Sequence, residues 1–127
     1  MGDRVSLAQI RKDAATIAGN AVDVSVSIVD HLPDSITPPC VLVAWSDPWL
    51  KPSTICAYDA AMELICVAQR IEPGGKLETL EEIVSALVVA FRKSNTFAVI
   101  DATSPYPLQI AGVDYLAATV NLQTEWG

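Results

Sequence analysis

The stretch that most constrains this chain is residues 77–93, LETLEEIVSALVVAFRK. Leu77, Leu80, Ile83, Val84, Leu87, Val88 and Phe91 recur at steps of three and four, which places them on one stripe of an α-helix. Glu78, Glu81, Glu82, Ser85 and Arg92 take the opposite face. Acids open the segment and Arg92 and Lys93 close it, as a helix dipole favours. Thr79 with Glu82 fits a capping box, and Pro73-Gly74-Gly75 breaks the chain before it. Val89 and Ala90 widen the apolar arc, so this helix is expected to pack on a sheet with little flank in water. The segments around it therefore have to supply strands.

They do so on both sides. Before them, residues 5–18 form a first helix, with Ser6 and Gln9 as a capping box and Val5 and Ile10 as a hydrophobic staple. Leu7, Ile10, Ala14, Ile17 and Ala18 give it a narrow stripe, and Gly19-Asn20 is a natural stop. Val22, Val24, Val26 and Ile28 alternate with Asp23, Ser25 and Ser27, the period of a strand with one wet face. Residues 31–39 hold three prolines and read as an exposed loop. Residues 41–45 are continuously apolar, as in a strand buried on both faces. Residues 46–54, with Pro48, Pro52 and Trp49, read as a loop with an aromatic at its tip. Over residues 55–71, Tyr58, Ala60, Met62, Leu64, Cys66 and Ala68 alternate with Asp59, Glu63 and Gln69, which favours a long strand. The run Ala60-Ala61-Met62-Glu63-Leu64 would also tolerate a helix. After the central helix come a short strand at 97–100, a turn or irregular edge at 104–107, and a long final strand at 113–126. On that last strand Leu116, Ala118, Val120 and Leu122 point one way, and Tyr115, Thr119, Asn121, Gln123 and Glu125 the other. Gly112 turns the chain into it from Leu108-Gln109-Ile110.

The expected fold is α+β: one domain over residues 1–127, with a mostly antiparallel sheet of about five strands and two helices packed on one face. The other face must then be wet or buried against another chain.

Eight basic residues against fifteen acidic give a net charge of −7 with no basic cluster, which argues against tight binding to phosphate backbones. No apolar run reaches the ~18 residues of a membrane span, and no signal-peptide pattern is expected. Cys40, Cys56 and Cys66 are widely spaced among apolar neighbours and read as reduced core thiols of a cytosolic setting. His31 stands beside Asp30 and near Asp34, but no nucleophile sits in a recognisable elbow, and a solvated loop histidine is the simpler reading. One histidine and no CxxC or HExxH leave no metal site. Gly74-Gly75 lacks the flanking pattern of a phosphate loop. Glu78, Glu81 and Glu82 resemble a paired-carboxylate site, but the helix dipole accounts for them. No catalytic, cofactor or metal residue is assigned. Trp45 reads as core. Trp49, in a proline-rich loop with Asp47 and Lys51, is an interface candidate, with packing over the sheet rim as the alternative. Trp126, at the end of the chain, needs something to hold it if ordered.

The order of elements resembles the tail-terminator and head–tail joining (neck) proteins of long-tailed bacteriophages. The residues that carry the resemblance are SLAQIRKDAATIAG, VDVSVSIVD, the loop ending Pro38-Pro39-Cys40-Val41-Leu42-Val43, the long strand ending near Ile71, the 77–93 helix, and the closing run Gly112-Val113-Asp114-Tyr115-Leu116-Ala117-Ala118-Thr119-Val120. It covers nearly the whole chain and includes no catalytic signature. The resemblance implies a non-enzymatic virion structural protein, assembled in the host cytoplasm and located in the tail and neck. It would form a homo-oligomeric ring, typically a hexamer, that caps the tail tube protein and meets the head–tail connector. DNA would pass through its channel without specific binding. A stopper or adaptor of the neck is the same-class alternative, and a small ligand-binding α+β domain the different-class one. The interface residues expected from the chain itself are Trp49 and Lys51, and Tyr115, Asn121 and Glu125 on the last strand.

Overall fold

The structure is a computed structural model that describes residues 6–31, 36–55, 57–71 and 77–126. In chain order the elements are α1 (Leu7–Ala21), β1 (Ser27–Val29), β2 (Cys40–Pro52), β3 (Tyr58–Arg70), α2 (Glu78–Arg92), β4 (Ala98–Ala102), β5 (Tyr106–Ile110) and β6 (Val113–Trp126). The class is α+β. The sheet is six-stranded and mixed, with the order β1-β2-β3-β6-β4 and β5 also paired to β6. This corrects the expected count of about five. β4 pairs with residues 120–123 of β6 and β5 with residues 113–117, so both lie along one edge of the same long strand. Between them Thr103 still bonds Thr119, its N–H donating to the Thr119 carbonyl at 2.8 Å and its hydroxyl accepting the Thr119 N–H at 3.0 Å, and the ladder breaks at Ser104-Pro105, where proline has no N–H to give. The pairing is antiparallel throughout except at β1, which runs parallel to β2.

Both helices pack on one face. Ile10, Ala14 and Ala18 of α1 and Leu80, Ile83, Leu87 and Phe91 of α2 share a buried cluster with Val41, Val43, Met62, Leu64, Cys66, Ala118, Val120 and Leu122. The alternation of β3 and β6 puts the even-numbered residues of that list on the helix side. Phe97 closes the end of α2, its ring edge-on to Phe91 at 5.5 Å. Thr124, buried on the same side, donates to the Thr96 carbonyl at 2.7 Å, so its hydroxyl is satisfied. A smaller cluster of Cys40, Leu42, Val67, Tyr115 and Ala117 lies on the opposite face under Ile36, Tyr106 and Leu108.

Several local expectations are corrected. α2 has no Thr79–Glu82 capping box: Leu77 is its N-cap, already in the α region (φ −90°, ψ −12°), and no side chain caps it. The helix starts before a Thr79 cap has a place, and Glu78 and Glu81 serve the dipole instead. α1 does begin at Ser6, whose hydroxyl accepts the Gln9 N–H at 3.0 Å. It continues past Gly19-Asn20 to Ala21, because Gly19 does not take the positive φ that a glycine stop requires. The Val5 staple and Cys56 lie outside the described residues.

The alternating run at 22–28 is a strand only from Ser27. Asp23 Oδ1 accepts the Ser25 N–H at 3.0 Å and the Val26 N–H reaches the Asp23 carbonyl at 2.9 Å. This Asx-type turn takes the backbone groups that a strand needs, and Val24 is left fully exposed. The Ser25 N–H, and after it the Ser25 side chain, hold the Asp23 carboxyl below its usual range. Residues 46–52 are not a loop. β2 runs through to Pro52, with one irregularity between Trp45 and Leu50 that absorbs Pro48. The long strand at 58–70 and the final strand at 113–126 are as expected. So is the turn before β6, where Ala111 (φ 52°) and Gly112 (φ 79°) form a two-residue loop with both φ positive.

Candidate functional site

Two neighbouring regions hold most of the sequence-derived candidates. The first is the far end of the β2–β3 hairpin with the end of β6. Past the irregularity, Leu50 pairs with Ala60, Lys51 with Asp59 and Pro52 with Tyr58; on the other side Tyr58 meets Trp126 and Asp59 meets Glu125. The hairpin turns through Ser53 and Thr54, whose N–H groups both donate to the Ala57 carbonyl, at 3.1 and 3.3 Å. Aromatic rings line the helix side of this arm. Trp49 leans on Trp45 with centroids 5.3 Å apart, and Tyr58 on Trp126 at 6.0 Å. Trp45 and Trp126 also pack against the main core. Trp49 remains 43 % exposed and Tyr58 39 %. Lys51, Asp59 and Glu125 form a row on the opposite side.

The second region is the sheet face away from the helices. Asp59, Glu63, Asn121 and Glu125 share the parity of Val67 and Ala117, so they point to that face. Glu63 lies directly across from Ala44 and Asn121, and Asn121 from Asp101. The Asn121 Nδ2 donates to Asp101 Oδ1 at 2.6 Å. Partial burial pushes the Glu63 carboxyl above its usual range. Four acids, Asp59, Glu63, Asp101 and Glu125, thus lie on this surface together with Lys51. Periodicity alone placed Asp59 and Glu63 on the polar side of β3; Asp101 needed the strand register.

The sites expected from sequence divide accordingly. Lys51 and Glu125 share one side of the arm and Trp49 lies on its other side, and Asn121 sits four residues before Glu125 on the same face as it. Tyr115 does not join them. Its side chain is 7 % exposed and belongs to the small cluster with Cys40 and Leu42. Thr119, between the two, is buried too and its hydroxyl lies 2.6 Å from that of Tyr106.

Among the described residues, the remaining titratable groups lie apart from these two regions. His31 Nδ1 is 3.5 Å from Asp30 Oδ1 and its side chain is 73 % exposed. Cys40 and Cys66 are free and buried, and burial together with the nearby Cys40 pushes the Cys66 thiol up to about 12, so it stays protonated at neutral pH. Among the described residues, no three His, Cys, Asp or Glu side chains gather into a metal-binding group, and no helix is long and apolar enough to cross a membrane. A cleft of about 410 Å³ between Ala21–Val26 and the start of α2 is lined by Asp23, Thr79 and Glu82. Another, of about 440 Å³, lies at the outer edge of β2 beside Arg11, Asp30 and His31. Arg11 was not singled out by any pattern in the sequence; only the tertiary placement of α1 over β2 brings it there.

No protein-family model matches the chain, and no curated protein matches it.

Proposed function

We propose that this chain is a virion structural protein, a ring-forming tail terminator that caps the tail tube and meets the head–tail connector. The observation that carries the reading is the division of the sheet into two unlike faces. One is filled by both helices. The other carries Asp59, Glu63, Asp101 and Glu125 on a protein of net charge −7. A ring that turns this face to its channel repels DNA phosphates, so the genome slides through without adhering. The aromatic arm with Trp49, Lys51 and Glu125 supplies a contact for tube or neighbouring subunit, since a half-exposed tryptophan on the outer part of the hairpin suits an interface anchor. No enzymatic step is part of this role. Negative-stain imaging of tails assembled with and without the protein tests it. Tubes of uniform length with a cap in its presence, and overlong tubes in its absence, are expected. Uniform tubes in both would remove the terminator role and leave a stopper or adaptor.

A further inference from the structure

The two edges of the sheet are unlike, and one is incomplete. β1 covers β2 only as far as the pair Val29–Leu42, after which the chain leaves through Asp30 and His31. The Ser27 N–H donates to the Pro39 carbonyl. In that parallel ladder the odd-numbered residues of β2 therefore turn their N–H and C=O groups toward β1. The same ladder gives the Val43 N–H to the Val29 carbonyl, so beyond the end of β1 the period of two leaves the Val43 carbonyl and both backbone groups of Trp45 on the open side. Val43 and Trp45 also line the groove of about 440 Å³ that holds Arg11, Asp30 and His31. Within it, Arg11 Nε is buried and has no hydrogen-bond partner among the described residues. A buried donor without an acceptor is costly, and an acceptor brought by a second copy would satisfy it.

The opposite edge offers one. β4 is the last strand on its side, and Ala98, Ile100, Asp101 and Ala102 are all exposed, Ile100 by 54 %. It combines a short extended backbone, an apolar side chain and a carboxylate. Strand directions agree as well. β2 and β6 run one way, β3 and β4 the other. Rotation of a copy about an axis along the strands therefore sets its β4 antiparallel to the next copy's β2.

We propose that β4 of a second copy docks on the open edge of β2, pairing its backbone with the Val43 carbonyl and Trp45 and presenting Asp101 to Arg11. The irregularity after Trp45, with Pro48, confines the docking to a short stretch. Because the two edges are different surfaces, the contact is heterologous and repeats from copy to copy. The inference rests on the ring-forming reading above and names the surfaces that would close the ring.

Light scattering of the full chain, with tube protein present, tests it through Arg11→Glu, Asp101→Arg, their combination and Ile100→Lys, each checked for folding by circular dichroism. The wild type is expected to assemble, each single change to weaken assembly at least tenfold, and the double charge swap to restore it. Ile100→Lys, at an exposed position, reads the edge without touching either charge. Wild-type assembly with all three single variants assembling equally well overturns the edge contact and leaves the ring reading standing. A wild type that stays monomeric at every concentration overturns both.

Discussion

Trp49 is where a single side chain separates assembly from folding. Its ring rests on Trp45, a pair worth about 1 kcal/mol, yet much of it faces out. Trp49→Ala is expected to lower monomer stability by about 1 kcal/mol in denaturant titrations and to weaken oligomer formation at least tenfold. Unfolding of the chain with no separate loss of assembly would make the ring core. Glu63 gives a second residue-scale test. Its folded pKa lies above the ordinary carboxylate value because burial disfavours the charge. A raised pKa means the folded state holds the proton more tightly, so this contribution to stability is present below the unfolded pKa and lost as pH rises through the folded one. Glu63→Gln is therefore expected to raise the melting temperature at pH 7 and to leave it unchanged near pH 3.5. Equal shifts at both pH values would assign the effect to packing and not to charge.

At the scale of elements, the β5–β6 turn is the clearest case of backbone demand. Ala111 holds φ 52° and Gly112 φ 79°. A non-glycine residue in that region costs roughly 1–2 kcal/mol, and asparagine tolerates it best. Ala111→Asn is expected to stabilise the protein by up to about 1 kcal/mol and Gly112→Val to destabilise it by at least about 1 kcal/mol, both read by chemical denaturation. Elements with a strong period were legible from sequence: α2 by its stripe, β3 and β6 by their alternation, and the turn by Gly112. The misses have local causes. At 22–26 the side chain of Asp23 captures backbone donors, a competition that valine alternation does not reveal. At 46–52 two prolines signalled a loop, but the register shift after Trp45 takes up Pro48, and Pro52 stands at the strand's end. The interrupted edge of β4 and β5 looked like one short strand and a turn because Pro105 masks their common partner. At the candidate site, Trp49, Lys51 and Glu125 were legible as polar or aromatic residues, whereas the burial of Tyr115 depends on Tyr106 and Leu108 of β5, its partner strand in the same hairpin, packing over it.

At the scale of the whole molecule, the helices stiffen one side of the sheet and leave three features turned outward: an acidic face, an aromatic arm and two dissimilar edges. The proposed ring would use all three, the face toward the channel, the arm toward tube or neighbour, and the edges toward each other. The apolar width of α2 at Val89 and Ala90 fits such crowding too, since Val89 is half exposed in the isolated chain beside Ala86 and Lys93. The most direct test of the central claim is the length distribution of tail tubes, imaged in negative stain with and without the protein. A narrow distribution with capped ends when it is present, and overlong, uncapped tubes when it is absent, is the predicted result. Identical distributions in the two preparations would contradict it.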